Sequence, residues 1–357
     1  MSIQSATRSY ESWMRKCTTL VDSDLRAKHE QMKKDPWYFM RGTFYRWIQL
    51  WPEVCPELSR APKVLASGDL HVDSFGTWRD FEGRMCWGID DFDEAYPLPY
   101  TNDLVRLAVS VKLVRDCQQL NIKLKSACEA ILEGYMDCLK RGGHPIVLAE
   151  HEENLERLGM EAIDPPRDFW KKLQTLPTVK GTLPTDLKRT LEKTLPAGLK
   201  YRVTRRKAGM GSRGQQRFVA IAEWQGGCIA REAKAMVPSA CFWLAGGTQR
   251  GQFYYQEIIS RAIRSRDPFQ EIAGSWLIRR MSPDSNPIEI DQLPKKRDEE
   301  TLVHTMGCEA ANVHLGSKRA IQNVLKDLLR RKSAWLRSAA KEMADVVKKD
   351  WKKYCKA

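Results

Sequence analysis

The sequence predicts an α+β chain of two lobes, and three features carry that expectation. Short apolar runs between residues 63 and 94 each end on carboxylates, as strands delivering acidic groups to their ends would. A glycine-rich segment, Gly209–Gly214, lies between two runs of strand character. Long stretches before and after these regions carry the 3.6-residue periodicity of amphipathic helices. The expected organisation is a mainly helical lobe with an acidic hairpin over 1–198, a strand-rich lobe over 199–283, and closing helices over 284–357.

At 357 residues the chain can build two sizeable cores. Hydrophobic residues make up 42% and charged residues 29%, an ordinary balance for a globular protein. No stretch approaches the roughly 20 apolar residues of a membrane span, and Met1–Ser5 lacks the apolar run of a secretory leader. Ten scattered cysteines, without a CxxC pair, read as buried reduced thiols in a cytoplasmic protein. The net charge of +14 points to an anionic partner, a nucleotide or phosphorylated substrate before nucleic acid, for which no recognised motif is present.

In chain order, residues 6–34 read as helical, with Trp13, Leu20, Val21 and Leu25 as the apolar stripe. Asp35-Pro36 is a helix start, and the aromatics after it read as core. Arg41 follows them directly, placed either for a buried salt bridge or for a phosphate or site carboxylate. Pro52, Pro56 and Pro62 punctuate a loop before the strand leading to Asp69. Gly76–Gly83 reads as the connection to a second strand ending at Asp90-Asp91, and Pro97-Leu98-Pro99 as a loop. Asn102 or Asp103 then caps a helix over Leu104–Leu120, followed by another over Lys123–Arg141 that stops at Gly142-Gly143. Residues 144–198 read as short helices at the lobe boundary. Val203, Ala208 and Phe218–Ala222 read as strands, Gln252–Arg264 as a helix, Trp276–Met281 as a strand, and residues 283–298 as a polar connection. Helices fill the chain from Glu299 onward.

The chemistry concentrates in Asp69, Asp73, Asp90, Asp91, Asp93 and Glu94. Carboxylates at that density repel one another unless a cation sits among them, and oxygen ligands suit Mg²⁺. Asp90 and Asp91 are adjacent on a strand, so only one of them is expected to face the site. Gly209, Gly211, Ser212 and Gly214 suit a backbone that approaches phosphates closely, although a plain hairpin turn explains the same glycines. Lys234 lies after a strand about twenty residues on, placed for the α/β-phosphates or simply at the surface.

These motifs, with Lys28–Met32, Pro36–Thr43, Gly68-Asp69-Leu70-His71, Asp91–Glu94, Asp103–Ser110, Gly209–Ser212 and Lys234 with Pro238-Ser239, resemble the DUF2252 family of bacterial proteins from about Lys28 to the C-terminus. The first motif in turn resembles the catalytic loop of aminoglycoside and choline phosphotransferases, which have a protein-kinase-like fold. The resemblance implies a Mg²⁺-dependent phosphotransferase (Mn²⁺ serving as a substitute) that moves the γ-phosphate of ATP to a hydroxyl acceptor. In such a site Asp69 is the base or orienter, Asp91 the principal metal ligand with Asp93 as second, and His71 and Asp103 steady the loop. Lys234 pairs with Glu257 on the next helix; Glu232 competes, but from the same strand. Ser74 stands where those enzymes place a metal-binding Asn, a departure that also admits a nucleotide-binding pseudokinase or scaffold. AMP transfer and, further off, nucleic-acid binding are the other readings. A kinase carries its glycine-rich loop and lysine before the catalytic loop, and here they follow it, so the fold implied is circularly permuted.

Overall fold

The computed structural model describes residues 1–117, 120–148, 165–207, 209–247, 252–285 and 298–356, and the fold is α+β. Helices α1 (Ile3–Cys17), α2 (Asp22–Lys34), α3 (Pro36–Gly42) and α4 (Phe44–Val54) open the chain. The single expected helix over 6–34 is broken at Thr18–Val21, where Leu20 forms a bridge with Gln215 and the Val21 N–H donates to Gly214 O at 2.7 Å. Asp35 caps α3 as expected, its Oδ1 accepting from Tyr38 N at 2.9 Å with Pro36 at the first helical position. Pro52, expected in a loop, sits in the last turn of α4.

Two short antiparallel ribbons follow. Strand β1 (Lys63–Ala66) pairs with β4 (Tyr96–Pro99), and β2 (Phe75–Arg79) pairs with β3 (Met85–Ile89). The segment expected to be only a connection therefore contains β2 itself, and Pro97-Leu98-Pro99, expected as loop, is a strand. Its ribbon has only two strands, so the prolines remove no N–H that a third strand would require. Helix α5 (Tyr100–Asp116) begins four residues before the expected start, after Pro99 rather than under an Asn or Asp cap. Helix α6 (Leu124–Arg141) ends at Gly142, whose φ of +82° is the left-handed cap that glycine tolerates. Short helices at Pro166–Gln174 and Thr185–Thr194 lie in the expected boundary region; 149–164, Ala208 and 286–297 fall outside the described residues.

The strand-rich region is one antiparallel sheet of β5 (Arg202–Arg205), β6 (Arg217–Trp224), β7 (Gly227–Ala235), β8 (Glu271–Ala273) and β9 (Trp276–Met281), in the order β5-β6-β7-β9-β8. Between β7 and β8 lie helices Ala240–Leu244 and Tyr255–Arg261, the second shorter than the expected 252–264. Side chains alternate across the sheet. One face puts Phe218, Ala233 and Ile278 against Leu187 and Leu191. The other puts Val219, Ile221 and Met281 against Phe169 and Leu173. Helices Glu299–His314, Ile321–Arg330 and Trp335–Cys355 complete the chain and join the large core of the first four helices, α5 and α6.

Two contacts decide how the parts sit together. The Glu299–His314 helix lies against α6 through glycines: a Cβ on Gly134 would stand 2.0 Å from His304 O, and one on Gly307 would stand 2.2 Å from Ile131 O. From α2, the buried ammonium of Lys28 donates to the Gly211 carbonyl at 2.6 Å, fastening the glycine-rich loop to the helical part.

Adding a methyl group at Gly134 or Gly307 forces two backbones apart. Gly134→Ala and Gly307→Ala should each cost roughly 1–3 kcal/mol, read as a lower denaturation midpoint; unchanged midpoints would refute this tight helix contact. Burial lowers Lys28 from 10.5 to about 8. The folded state thus binds fewer protons than the unfolded state between those values, and the penalty for burying the charge is relieved as pH rises through them. The stability difference between wild type and Lys28→Met should shift toward wild type by up to about 3 kcal/mol from pH 8 to 10.5. A pH-independent difference would remove Lys28 as its source.

Candidate functional site

The loop from β1 to β2 is held from within and from below. Ser67 N donates to Asp103 Oδ2 at 2.8 Å and Gly68 N to Asp103 Oδ1 at 3.0 Å, while Asn102 Nδ2 donates to Gly68 O at 2.9 Å. Asp103 is therefore a support of the loop from inside α5, not the helix cap. Gly68 has φ +82° and a Cβ there would stand 2.3 Å from Glu94 O, so both conformation and space require glycine. The imidazole of His314 contacts Asp103 Oδ2 through Nε2 at 3.1 Å, and its Nδ1 meets Tyr135 Oη at 2.7 Å.

Ser74 is bound into the loop. Its hydroxyl accepts from His71 N at 3.0 Å and donates to Asp69 O at 3.2 Å, and the residue is 1% exposed. His71 packs edge-on against Trp37 and accepts from Asp73 N at Nδ1, 3.2 Å. Burial, reinforced by the charges of Arg41 and Arg106, holds it well below the usual imidazole range, so the ring is neutral with its proton on Nε2. Arg41 forms the buried salt bridge, to Asp73 Oδ2 at 2.8 Å.

Asp69 is clasped by a residue that the sequence reading passed over. Arg106 Nε donates to Asp69 Oδ1 at 2.6 Å, and its Nη2 donates to Met40 O at 2.9 Å. The guanidinium is fully buried, with the rings of Phe44 and Trp47 at 5.1 and 4.8 Å. Burial raises the Asp69 carboxyl above its ordinary range, and the Arg106 charge opposes that rise. The available signal was a lone arginine in the apolar run Leu104–Val114.

Asp90 and Asp91 both line the cleft above this loop. The expectation that only one could do so assumed strand alternation, but β3 ends at Ile89. Asp90 faces Arg279 at 3.7 Å, and burial pushes its carboxyl up to about 6. Asp91 is half exposed; burial would raise its carboxyl, but Lys234, the Asp93 N–H that donates to it and Arg279 outweigh that and hold it low. Lys234 salt-bridges Asp93 Oδ2 and lies 4.0 Å from Asp91 Oδ1. The expected Lys234–Glu257 pair does not form: Glu257 pairs with Arg261 one helical turn away at 2.7 Å. Glu232, the competing residue, is taken up by Arg206, Arg217 and Arg279.

The glycine-rich loop joins β5 to β6 and arches over Asp69. A Cβ on Gly211 would lie 3.8 Å from Asp69 Oδ2 and 3.5 Å from Arg41 O, while Gly209 and Gly214 take φ of +72° and +104°. Ser212 Oγ accepts from Arg217 Nη2 at 2.7 Å. The loop, the acidic residues and Lys234 enclose a cleft of about 880 Å³. Its carboxylates, Asp24, Asp69, Asp73, Asp90 and Asp91, all come from the first ninety-one residues. Its cations come from the later part, among them Lys172, Arg206, Lys207, Arg217, Lys234 and Arg279, with Arg41 the exception.

Among the described residues no three His, Cys, Asp or Glu side chains gather as a complete metal cage. Mg²⁺ bound with a nucleotide needs only one or two carboxylates, because phosphates and waters supply the other oxygens. Asp93 Oδ1 is buried without a hydrogen-bond partner, and the half-exposed Asp91 carboxylate stands beside it. That all-oxygen pair fits such a site. No described helix is long and apolar enough to cross a membrane.

No curated protein and no solved structure matches the chain. A family match covers the acidic loop, α5 and α6, but neither the glycine-rich loop nor Lys234. Residues 20–168, less than half of the chain, match the family described as "uncharacterized protein conserved in bacteria (DUF2252)".

Proposed function

We propose that the protein is a Mg²⁺-dependent phosphotransferase that moves the γ-phosphoryl group of ATP to a hydroxyl acceptor, in a kinase-like site built from a circularly permuted chain. The observation that carries this reading is the meeting of three features distant in sequence. Gly211 overlies Asp69, Lys234 bridges to Asp93, and both contacts border one cleft with carboxylates on one wall and cations on the other. Phosphoryl transfer is mostly positioning and charge neutralisation, which a site divided in this way supplies. The permutation draws support from the end of the Glu299–His314 helix, where Ser317 Oγ accepts from Leu65 N of β1 at 2.7 Å. A helix encoded late in the chain thus abuts the strand leading into the loop that bears Asp69.

In this reading Asp69 Oδ2, the oxygen turned toward Gly211, orients the acceptor hydroxyl and receives its proton as the new P–O bond forms and ADP leaves. Arg106 holds the other oxygen in place. Asp91 and Asp93 are the metal ligands; a bound Mg²⁺ supplies neutralisation of the phosphate charge. Lys234 supports the phosphates from the opposite wall.

A second reading has its own observation. With the Ser74 hydroxyl bound into the loop and Asp69 clasped by Arg106, the cleft is also suited to a nucleotide-binding scaffold without turnover.

ATP with Mg²⁺ at a hundred times its Kd should stabilise the protein by about 2.7 kcal/mol in thermal unfolding. Asp91→Asn should remove most of the Mg²⁺ dependence of that shift. Asp69→Ala should keep the shift and lose transfer by at least about 100-fold. No stabilisation of the wild type by ATP with Mg²⁺ or Mn²⁺ sinks the proposal, and stabilisation without turnover on any hydroxyl panel selects the scaffold.

A further inference from the structure

On the sheet face that roofs the cleft, one carboxylate gathers three guanidinium groups. Glu232 Oε1 accepts from Arg206 at 2.9 Å, and Oε2 accepts from Arg279 at 2.8 Å and Arg217 at 3.1 Å. Register explains the gathering: Glu232 pairs across the ladder with Arg279, Arg217 pairs with Lys234 two residues on, and the Arg206 N–H continues the ladder to Arg217 O at 3.2 Å. Alternation then turns all these side chains to the same face. Glu232 is 1% exposed; Arg217, Arg279 and Arg206 are 7%, 20% and 28% exposed and line the cleft.

A buried carboxylate needs one arginine for compensation. Three leave an excess of two positive charges on Glu232 itself, which Asp90 at 3.7 Å from Arg279 and, from farther off, Asp91, Asp93 and Asp267 reduce. Holding like charges together in a partly dry site is unfavourable unless a counter-charge arrives. Each guanidinium carries five donors, and the carboxylate uses one from each. Planar guanidinium forks match phosphate oxygens. Leu277 and Met281 continue the same lining and give apolar ground beside the cluster for the body of an organic ligand.

We infer that Arg206, Arg217 and Arg279, arrayed on Glu232, form a phosphate subsite for an organic phosphate or diphosphate group, separate from the Asp91–Asp93 pair. Glu232 positions the three guanidinium groups and does not touch the ligand. The subsite goes beyond the phosphotransferase reading and stands whether or not transfer occurs. Its phosphate comes from either a nucleotide or a phosphorylated acceptor.

The test is calorimetric titration of the full chain with inorganic pyrophosphate, without divalent cations, against chloride at matched ionic strength. Wild type should bind. Arg206→Gln, at the most exposed of the three positions, should weaken binding about tenfold or more, and Arg206→Lys should fall between. Unfolding curves of the variants establish that they are folded. Absence of pyrophosphate binding by the wild type, or equal binding by folded Arg206→Gln, overturns the subsite. If ATP with Mg²⁺ displaces pyrophosphate, the subsite serves the nucleotide; if both bind together, it serves the acceptor. Pyrophosphate binding without ATP binding keeps the subsite and removes the phosphotransferase proposal, whereas ATP binding without pyrophosphate binding does the reverse.

Discussion

The buried carboxylate of Asp103 is the fixed point of the site. It has no solvent exposure, and its oxygens meet Ser67 N, Gly68 N, Asn102 Nδ2 and His314 Nε2. A buried carboxylate is tolerable only when donors satisfy it in this way. Nε2, facing a carboxylate, carries a proton, and Nδ1 meets the Tyr135 hydroxyl. The loop bearing Asp69 thus leans on α5 beneath it, and through His314 on a helix encoded more than two hundred residues later. Its geometry is a property of the assembled fold, since Asp103, Tyr135 and His314 share no local segment.

The cleft is organised by a second constraint, the separation of charge between the two parts of the chain. Five carboxylates lie on the helical side and most cations on the sheet side. Direct neutralisation occurs where the walls touch, at Lys234–Asp93, Arg279–Asp90 and Lys207–Asp24, and Lys28 tethers the glycine-rich loop nearby. Such a cleft suits a ligand that is itself polyanionic and carries a cation, because each wall then meets its complement. The excess of basic residues in the chain acquires a location this way: part of the +14 faces the cleft and is not merely a solvated surface.

Much of this was legible in the sequence where the signal was local. Asp35-Pro36 started a helix, Gly142 ended one, and four of the six clustered carboxylates, Asp69, Asp73, Asp90 and Asp91, line one cleft with Gly209–Ser212. What was missed depends on tertiary context. Pro97 and Pro99 read as loop because their edge position in a two-stranded ribbon leaves no trace in composition. The break at Thr18–Val21 exists because Leu20 bridges to Gln215, a partner nearly two hundred residues away. Adjacent Asp90 and Asp91 both reach the cleft because the strand stops one residue earlier. Glu232 looked like a rival for Lys234, yet register set it among arginines from neighbouring strands. His314 carried no sequence signal at all, being one histidine on a helix whose relation to Asp103 only the fold creates.

The Asp69–Arg106 contact bears on how such a site would act. A carboxylate bonded to a buried guanidinium is a weaker base than one facing water alone, because the charge that stabilises the anion also resists its protonation. Burial works the other way and raises the Asp69 carboxyl. Burial wins, so the group, fixed in direction by Arg106, still sits above the ordinary carboxylate range. Phosphoryl transfer asks little more of its carboxylate, because bond formation to the acceptor runs late and the hydroxyl proton leaves late with it. Arg106 is fixed in turn by Phe44, Trp47 and Met40 O, so the orientation of Asp69 derives from the aromatic core of α4. A substitution far from the cleft, such as at Trp47, would therefore act on the direction of Asp69 before it altered any group that touches a ligand.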